Sequence, residues 1–184
     1  SDHLTELADT VIDVSLELCW REIQTKNGGE NRSLKFAVIG YGKLGGKELG
    51  YVSDLDMIFL YDDDRPNAET QYATLARKLI SSLSTLSSAG TLYETDLRLR
   101  PDGVSGLLVS SFAAFEDYQR NRAWVWEHQA ITRARYVAGD KILGEKFEQL
   151  RKNILTQPRS AEELKKEILA MREKMRAQHK QAEG

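Results

Sequence analysis

An α+β fold, a mixed sheet with flanking helices followed by a helical segment, is what this sequence predicts, and three observations carry the prediction. Two β-type apolar runs, Phe36 to Ile39 and Met57 to Tyr61, bracket a turn-rich segment with glycines at 40, 42, 45, 46 and 50. That is the pattern of strand, tight turn and strand. Apolar residues recur at helical spacing ahead of the first run and behind the second. From Ser110 onward the pattern turns helical, which divides the chain into a core at 1–110 and a helical segment at 111–184.

From Ser1 to about Gln24, Leu4, Leu7, Ala8, Val11, Val14 and Leu18 define one amphipathic helix whose role is packing. Residues 26–33, with Gly28, Gly29 and Asn31, form a loop into the first strand. Behind the second strand, Asp62-Asp63-Asp64 reads as a solvated turn. Pro66-Asn67 then opens a helix to about Ser88, with Tyr72, Leu75, Ala76, Leu79, Ile80, Leu83 and Leu86 on its apolar face. Residues 91–99 read as a strand whose alternation puts Leu92, Glu94, Asp96 and Arg98 on one face. Pro101-Asp102-Gly103 is a turn, and residues 107–109 a short strand.

Ser110 and Ser111 offer N-caps to a helix with Phe112, Phe115 and Tyr118 on one side. Residues 123–136 read as a further helix, with Trp124 and Trp126 packed and Arg133 and Arg135 on different faces. Lys141 to Leu155 is another, with Leu143, Phe147 and Leu150 inward. Pro158 ends it, and Ser160 with Glu163 makes a capping box for a last helix to about Lys180. Its Leu164, Ile168, Met171 and Met175 form a stripe narrow enough to need a partner.

Composition narrows the function classes. With 41% hydrophobic residues, 29% charged and only 3 prolines, neither disorder nor a membrane span is indicated. A net charge of -2 and a pI near 6.0 leave no basic footprint for nucleic acid. The single cysteine, Cys19, excludes an internal disulfide and fits a reducing, cytoplasmic setting. His128 has only His3 and His179 as fellow histidines, which argues against zinc. A chain that starts at Ser1 without a targeting segment and ends in a charged helical run reads as a piece of something longer.

Chemistry concentrates where the second strand opens, Asp54-Leu55-Asp56. Successive strand side chains alternate faces, so both carboxylates point the same way and Leu55 the other. Two like charges so close are costly without a cation between them. Magnesium is commonly held by one or two carboxylates together with substrate phosphates. Backbone N–H groups in a glycine turn bind phosphate beside such a metal. The stretch therefore reads as a metal-nucleotide site. On the later strand, Asp96 and Arg98 are unexpected side chains for a core-facing surface. Guanidinium groups bind phosphate oxygens through planar paired donors, which makes Arg98 and Arg100 candidates to hold a triphosphate.

Tyr41-Gly42-Lys43, ten intervening residues and Asp54-Leu55-Asp56-Met57 resemble the signature of the nucleotidyltransferase superfamily that includes DNA polymerase β. The superfamily has Gly or Ser where this chain has Lys43. Beyond the metal strand, GYGKLGGKELGYVSDLDMIF, YETDLRLRPDG at 93–103 and AWVWEHQAITRAR at 123–135 resemble the bacterial glutamine synthetase adenylyltransferases, which carry the lysine. The resemblance implies a polymerase β-like nucleotidyltransferase core and an ATP-dependent, multifunctional enzyme of nitrogen metabolism. Two magnesium ions are implied on Asp54, Asp56 and Asp96, the catalytic acids. The nucleotide contacts implied are Gly42, Lys43, Gly45, Gly46 and Ser53, with Arg98 and Arg100. Glutamine synthetase is implied as protein substrate, and PII signalling protein and glutamine as regulators of the full-length enzyme. Of the two similar domains in such chains, the adenylylating C-terminal one is the better match. Phosphorolytic removal of AMP by the sister domain, or nucleotide sensing without catalysis, are the alternatives. Family chains also continue beyond the equivalent of Gly184 into further helices.

Overall fold

The structure, a computed structural model, describes residues 2–28, 32–84, 86–87, 90–91, 93–101, 103, 106–158 and 160, and residues 162, 165, 166, 168–170, 172 and 173. Helix α1 (Asp2–Lys26) buries Thr5, Ala8, Ile12, Leu16, Cys19 and Ile23, residues spaced three or four apart along one stripe. Strand β1 (Phe36–Gly40) is buried along its whole length. After a single short helical turn, α2 (Gly42–Gly45), the chain returns as β2 (Leu55–Tyr61), antiparallel to β1 with Phe36 opposite Tyr61 and Gly40 opposite Met57. Period-two alternation then sorts the two strands' side chains. Phe36, Val38, Leu55, Met57, Phe59 and Tyr61 face one layer, and Ala37, Ile39, Ile58 and Leu60 the other.

Helix α3 (Ala68–Ser84) packs with α1 on the first face. It carries Tyr72 into a group of rings, stacked on Phe36, Tyr61 and Trp20 at centroid distances of 5.6, 5.5 and 5.9 Å. The helix stops short of Ser88, contrary to expectation. Leu86 belongs to β3 (Leu86–Ser87), which pairs antiparallel with β4 (Gly90–Thr91). The Ser87-Ser88-Ala89-Gly90 sequence carries turn residues, and the paired strands β3 and β4 stand where the last helical turn was expected. Ser88 itself lies outside the described residues.

The single strand expected over 91–99 is not one element among the described residues: Thr91 belongs to β4, and β5 (Thr95–Asp96) runs parallel to the start of β2 with Asp56 opposite Asp96. The chain leaves the sheet there because the Asp96 carboxylate accepts the backbone N–H of Arg98 at 2.9 Å, a side chain-to-backbone turn that competes with the ladder. Leu92 lies outside the described residues. Strand β6 (Val109–Ser111) continues along the same edge of β2, parallel, with Phe59 opposite Val109.

Ser111 accepts the Ala114 N–H and starts helix α4 (Phe112–Asn121). The single helix expected over 123–136 is two elements, α5 (Val125–Ile131) and a strand, β7 (Arg135–Gly139). Strand β7 pairs antiparallel with β1, with a register shift between Val38 and Ile39. The otherwise open edge of β1 claims the β-type residues Tyr136 and Val137, and tertiary pairing overrides the helical spacing. Trp124 and Trp126, expected to pack, are 53% and 41% exposed. Instead Ile131 is buried, and Glu127 orients the helix by accepting from the Trp124 N–H and the Tyr118 hydroxyl, each at 2.9 Å. Helix α6 (Lys141–Leu155), capped by Asp140, buries Leu143, Phe147, Leu150 and Ile154.

The sheet order is β5-β2-β1-β7, with β6 also on β2. Helices α1 and α3 cover one face, and α4, α5 and α6 the other. Of the last expected helix, Leu164, Met171 and Met175 lie outside the described residues, whereas residues 168–170 are helical. Among the described residues no helix is long and apolar enough to cross a membrane.

Asp63 departs from the solvated turn expected of it: its side chain is 2% exposed. It accepts the Arg65 N–H at 3.1 Å, the Arg65 Nε–H at 2.9 Å and the Tyr72 hydroxyl at 2.9 Å. The Arg65 guanidinium, foremost, holds its carboxyl well below the usual range. Asp63→Ala removes the acceptor of the Tyr72 hydroxyl proton, leaving that oxygen only the Lys35 N–H at 3.2 Å, and is expected to cost about 2 kcal/mol of unfolding free energy in urea titrations. Because the folded-state value is depressed, that contribution is complete above the ordinary value of 3.8 and disappears as pH falls through the folded value. Wild-type and variant stabilities should therefore converge in acid.

Candidate active site

The glycine turn is clasped to the acidic strand by its own backbone. The Tyr41 N–H donates to the Asp56 carbonyl at 2.8 Å, and Gly45 and Gly46 donate back to Tyr41 and Gly42 at 2.7 and 2.9 Å. Leu44 and Leu49 are buried and anchor the segment. Gly42 has φ +50°, and a Cβ there would stand 2.3 Å from Asp56 Oδ2. Only glycine lets the backbone lie this close to that carboxylate. At Gly45 the obstacle is backbone, since a Cβ would fall 1.8 Å from the Arg133 carbonyl oxygen. The turn is therefore pressed between β2 and the segment leading into β7. Lys43 is exposed, and its charge acts on Asp56.

Asp54, exposed, immediately precedes β2, and Asp56, half-buried, is its second residue. Asp96, with its side chain 15% exposed, stands opposite Asp56 across the parallel pair. Burial pushes the Asp56 carboxyl up, and the charges of Asp96 and Asp54 push it further, only partly opposed by Arg98 and Lys43. Asp96 moves the other way, held down first by its hydrogen bond from Arg98. Arg98 Nη2 reaches it at 2.5 Å, and Nε lies 2.8 Å from Oδ2.

Among the described residues no three His, Cys, Asp or Glu side chains are close enough together to hold a metal ion. The donors nevertheless suit magnesium. All are carboxylate oxygens, and mutual repulsion at Asp56 is what a hard cation relieves. The Arg98 side chain that engages Asp96 is 76% exposed, so this ion pair is weak and readily exchanged for another cation.

The other expected nucleotide contacts are distributed as follows. Gly46 lies beside the Arg133 guanidinium. Ser53 Oγ accepts the Gly50 N–H at 3.0 Å and braces the loop ahead of Asp54. Arg100 is partly buried and bends back on its own turn, with Nη1 3.4 Å from the Leu97 carbonyl. Two arginines that the sequence reading assigned to helix are at the turn instead. Arg133 pairs with Glu48, and Arg135 donates to the Leu44 carbonyl at 3.1 Å. The aromatic and β-branched run from Tyr136 was the signal that could have revealed both. A concavity of about 800 Å³ lined by Tyr136, Gly144, Glu148 and Arg151 includes none of the aspartates.

Residues 1–150 match the family model described as Glutamate-ammonia ligase adenylyltransferase. The chain is similar to proteins named bifunctional glutamine synthetase adenylyltransferase/adenylyl-removing enzyme. It is 60% identical to one from Nitrosomonas eutropha over 97% of this chain and 19% of the relative. For one from Nitrosomonas europaea the figures are 59%, 97% and 19%, and for one from Chromobacterium violaceum 55%, 100% and 20%. The chain thus spans about a fifth of the length of these curated relatives. A match running from α1 through the glycine turn, the aspartates and most of α6 places this chain in the glutamate-ammonia ligase adenylyltransferase family.

Proposed function

We propose that this chain is a polymerase β-like nucleotidyltransferase core that transfers AMP from ATP to a tyrosine of glutamine synthetase. The observation that carries the reading is Asp56, a half-buried carboxylate under Gly42, in register with Asp96 and raised by burial and then by the charges of Asp96 and Asp54. Residues 1–110 form the catalytic core, completed by β7 from the helical segment at 111–184.

Asp54, Asp56 and Asp96 hold magnesium in this reading. When bound, the metal neutralises charge on the phosphates and on the departing pyrophosphate. The first-turn amides of α2, which a helix leaves outside its own hydrogen bonds, face phosphate oxygens, while Gly45 and Gly46, whose N–H groups are taken by Tyr41 and Gly42, keep the turn free of side chains beside the nucleotide. Lys43 and Arg98 add positive charge, Arg100 steadies its turn, and Ser53 fixes the loop leading into Asp54. The tyrosine oxygen attacks the α-phosphorus, the bond to the pyrophosphate oxygen breaks, and the phenolic proton leaves to water through Asp96. A free tyrosine titrates near 10, so its hydroxyl needs a charged neighbour to react at neutral pH. Asp96, kept ionised by Arg98, supplies an acceptor that orients it.

In this reading glutamine synthetase is the protein partner, PII signalling protein and glutamine regulate the full-length enzyme, and the setting is the cytoplasm. Incubation of the chain with Mg-ATP and unmodified glutamine synthetase is expected to add AMP to a tyrosine, read by intact-protein mass. Turnover only with phosphate and the modified form would assign the adenylyl-removing reaction instead. Mg-ATP binding without turnover in either direction would leave a nucleotide sensor.

A further inference from the structure

The glycine turn is held from behind by a residue outside the acidic cluster. Arg135 is the first residue of β7 and pairs with Gly40, one position ahead of Tyr41. Its Nη2 donates to Asp9 Oδ1 of α1 at 2.7 Å and to the Leu44 carbonyl of α2 at 3.1 Å. The ion pair is largely enclosed, with side chains 18% and 27% exposed, and Arg135 Nε is buried without a hydrogen-bond partner among the described residues. A buried guanidinium with an unsatisfied N–H is costly, so its placement is fixed by what the other nitrogens hold. Nη1 lies 3.4 Å from the carbonyl of the neighbouring Tyr136, and Nη2 alone reaches other elements, holding one carboxylate on α1 and one carbonyl in α2.

The rest of the turn leaves α2 little freedom of its own. Its front is tied to Asp56 through the Tyr41 N–H, and Gly45 abuts the Arg133 carbonyl. A shift of α2 toward or away from β2 is opposed by the Arg135 bond, because Leu44 has its side chain in the core and its carbonyl on the arginine. We infer that Arg135 is a positioning residue for the glycine turn, with Asp9 as the anchor that orients it, so that α1 sets where the turn's amides stand relative to Asp56. The inference rests on the nucleotide-binding reading of the turn. It assigns a role to α1 that packing alone does not supply, since Asp9 lies beside the buried stripe and makes its contact through charge.

The test compares wild type with Arg135→Gln, Arg135→Lys and Asp9→Asn. It reads Mg-ATP affinity by calorimetry and amide hydrogen exchange by mass spectrometry. Arg135→Gln and Asp9→Asn are expected to weaken Mg-ATP binding about tenfold, the scale seen when residues that orient ligand-binding groups are lost. Exchange should rise in peptides covering residues 42–46 while β1 and β2 keep their protection. Arg135→Lys, which can still reach a carboxylate and a carbonyl, should recover most of both. Unchanged affinity and exchange in Arg135→Gln would overturn the inference. So would exchange rising evenly over α1, β1 and β7, which marks general loosening. If wild type failed to bind Mg-ATP while the local exchange pattern still followed Arg135, the positioning would stand and the nucleotide reading would fall.

Discussion

Asp56→Asn is expected to abolish AMP transfer, by a hundredfold to about a thousandfold or more, and to leave the fold at least as stable as wild type. The two halves of that expectation have one cause. The Asp56 carboxyl is pushed up by burial and then by Asp96 and Asp54, so its ionised form is strained in the fold when no cation is present. Replacing it by a neutral amide of the same shape removes the repulsion and also the charge on which metal binding depends. Titrating magnesium with ATP should raise the melting temperature of wild type, because a ligand that binds only the native state stabilises it. The variant should show no such rise. A variant that transfers AMP at the wild-type rate, or gains the same thermal shift from magnesium, would remove the metal assignment from Asp56.

The parts of the fold that were legible in the sequence are those where local pattern and burial agree. Strands β1 and β2 announce themselves as apolar runs because a sheet covered on both faces tolerates no polar residue, and the one half-exposed position in β2 is Asp56. Asp54 and Asp56 could be placed together from alternation alone. The strand over 91–99 was less readable, because Asp96 turns the chain out of the sheet by binding the Arg98 N–H, a competition that propensity does not reveal. The register of Asp96 against Asp56 likewise depends on a parallel pairing that no local pattern encodes. Strand β7 was hidden behind helical spacing because its reason for existing lies about a hundred residues earlier, at the open edge of β1. With β7 unseen, Arg133 and Arg135 could not be connected to the glycine turn. Asp63 was misjudged for a related reason, since Arg65 folds back on it within the same turn and Tyr72 is brought to it by α3.

Gly42→Ala is expected to cost about 1–2 kcal/mol of stability and far more in function. The stability loss comes from φ +50°, where an L side chain crowds its own backbone. The functional loss comes from the neighbour, because the new methyl would stand 2.3 Å from Asp56 Oδ2. Two movements can relieve that contact. Asp56 can rotate away, which withdraws a carboxylate from the metal, or α2 can retreat, which breaks the 2.8 Å bond from Tyr41 to the Asp56 carbonyl. Either movement separates the phosphate-binding amides from the acids they must serve, and Mg-ATP affinity should fall by about two orders of magnitude, with transfer lost alongside it. Gly28→Ala provides the matched control. Gly28 also has positive φ, +95°, but among the described residues no atom beyond its chain neighbours lies within 4 Å of where its Cβ would stand. It should lose stability to a similar extent and bind Mg-ATP as wild type does. Equal nucleotide affinity in the two variants would mean that closeness of the turn to Asp56 is not what makes this site, whereas a loss confined to Gly42→Ala would tie nucleotide binding to that single contact.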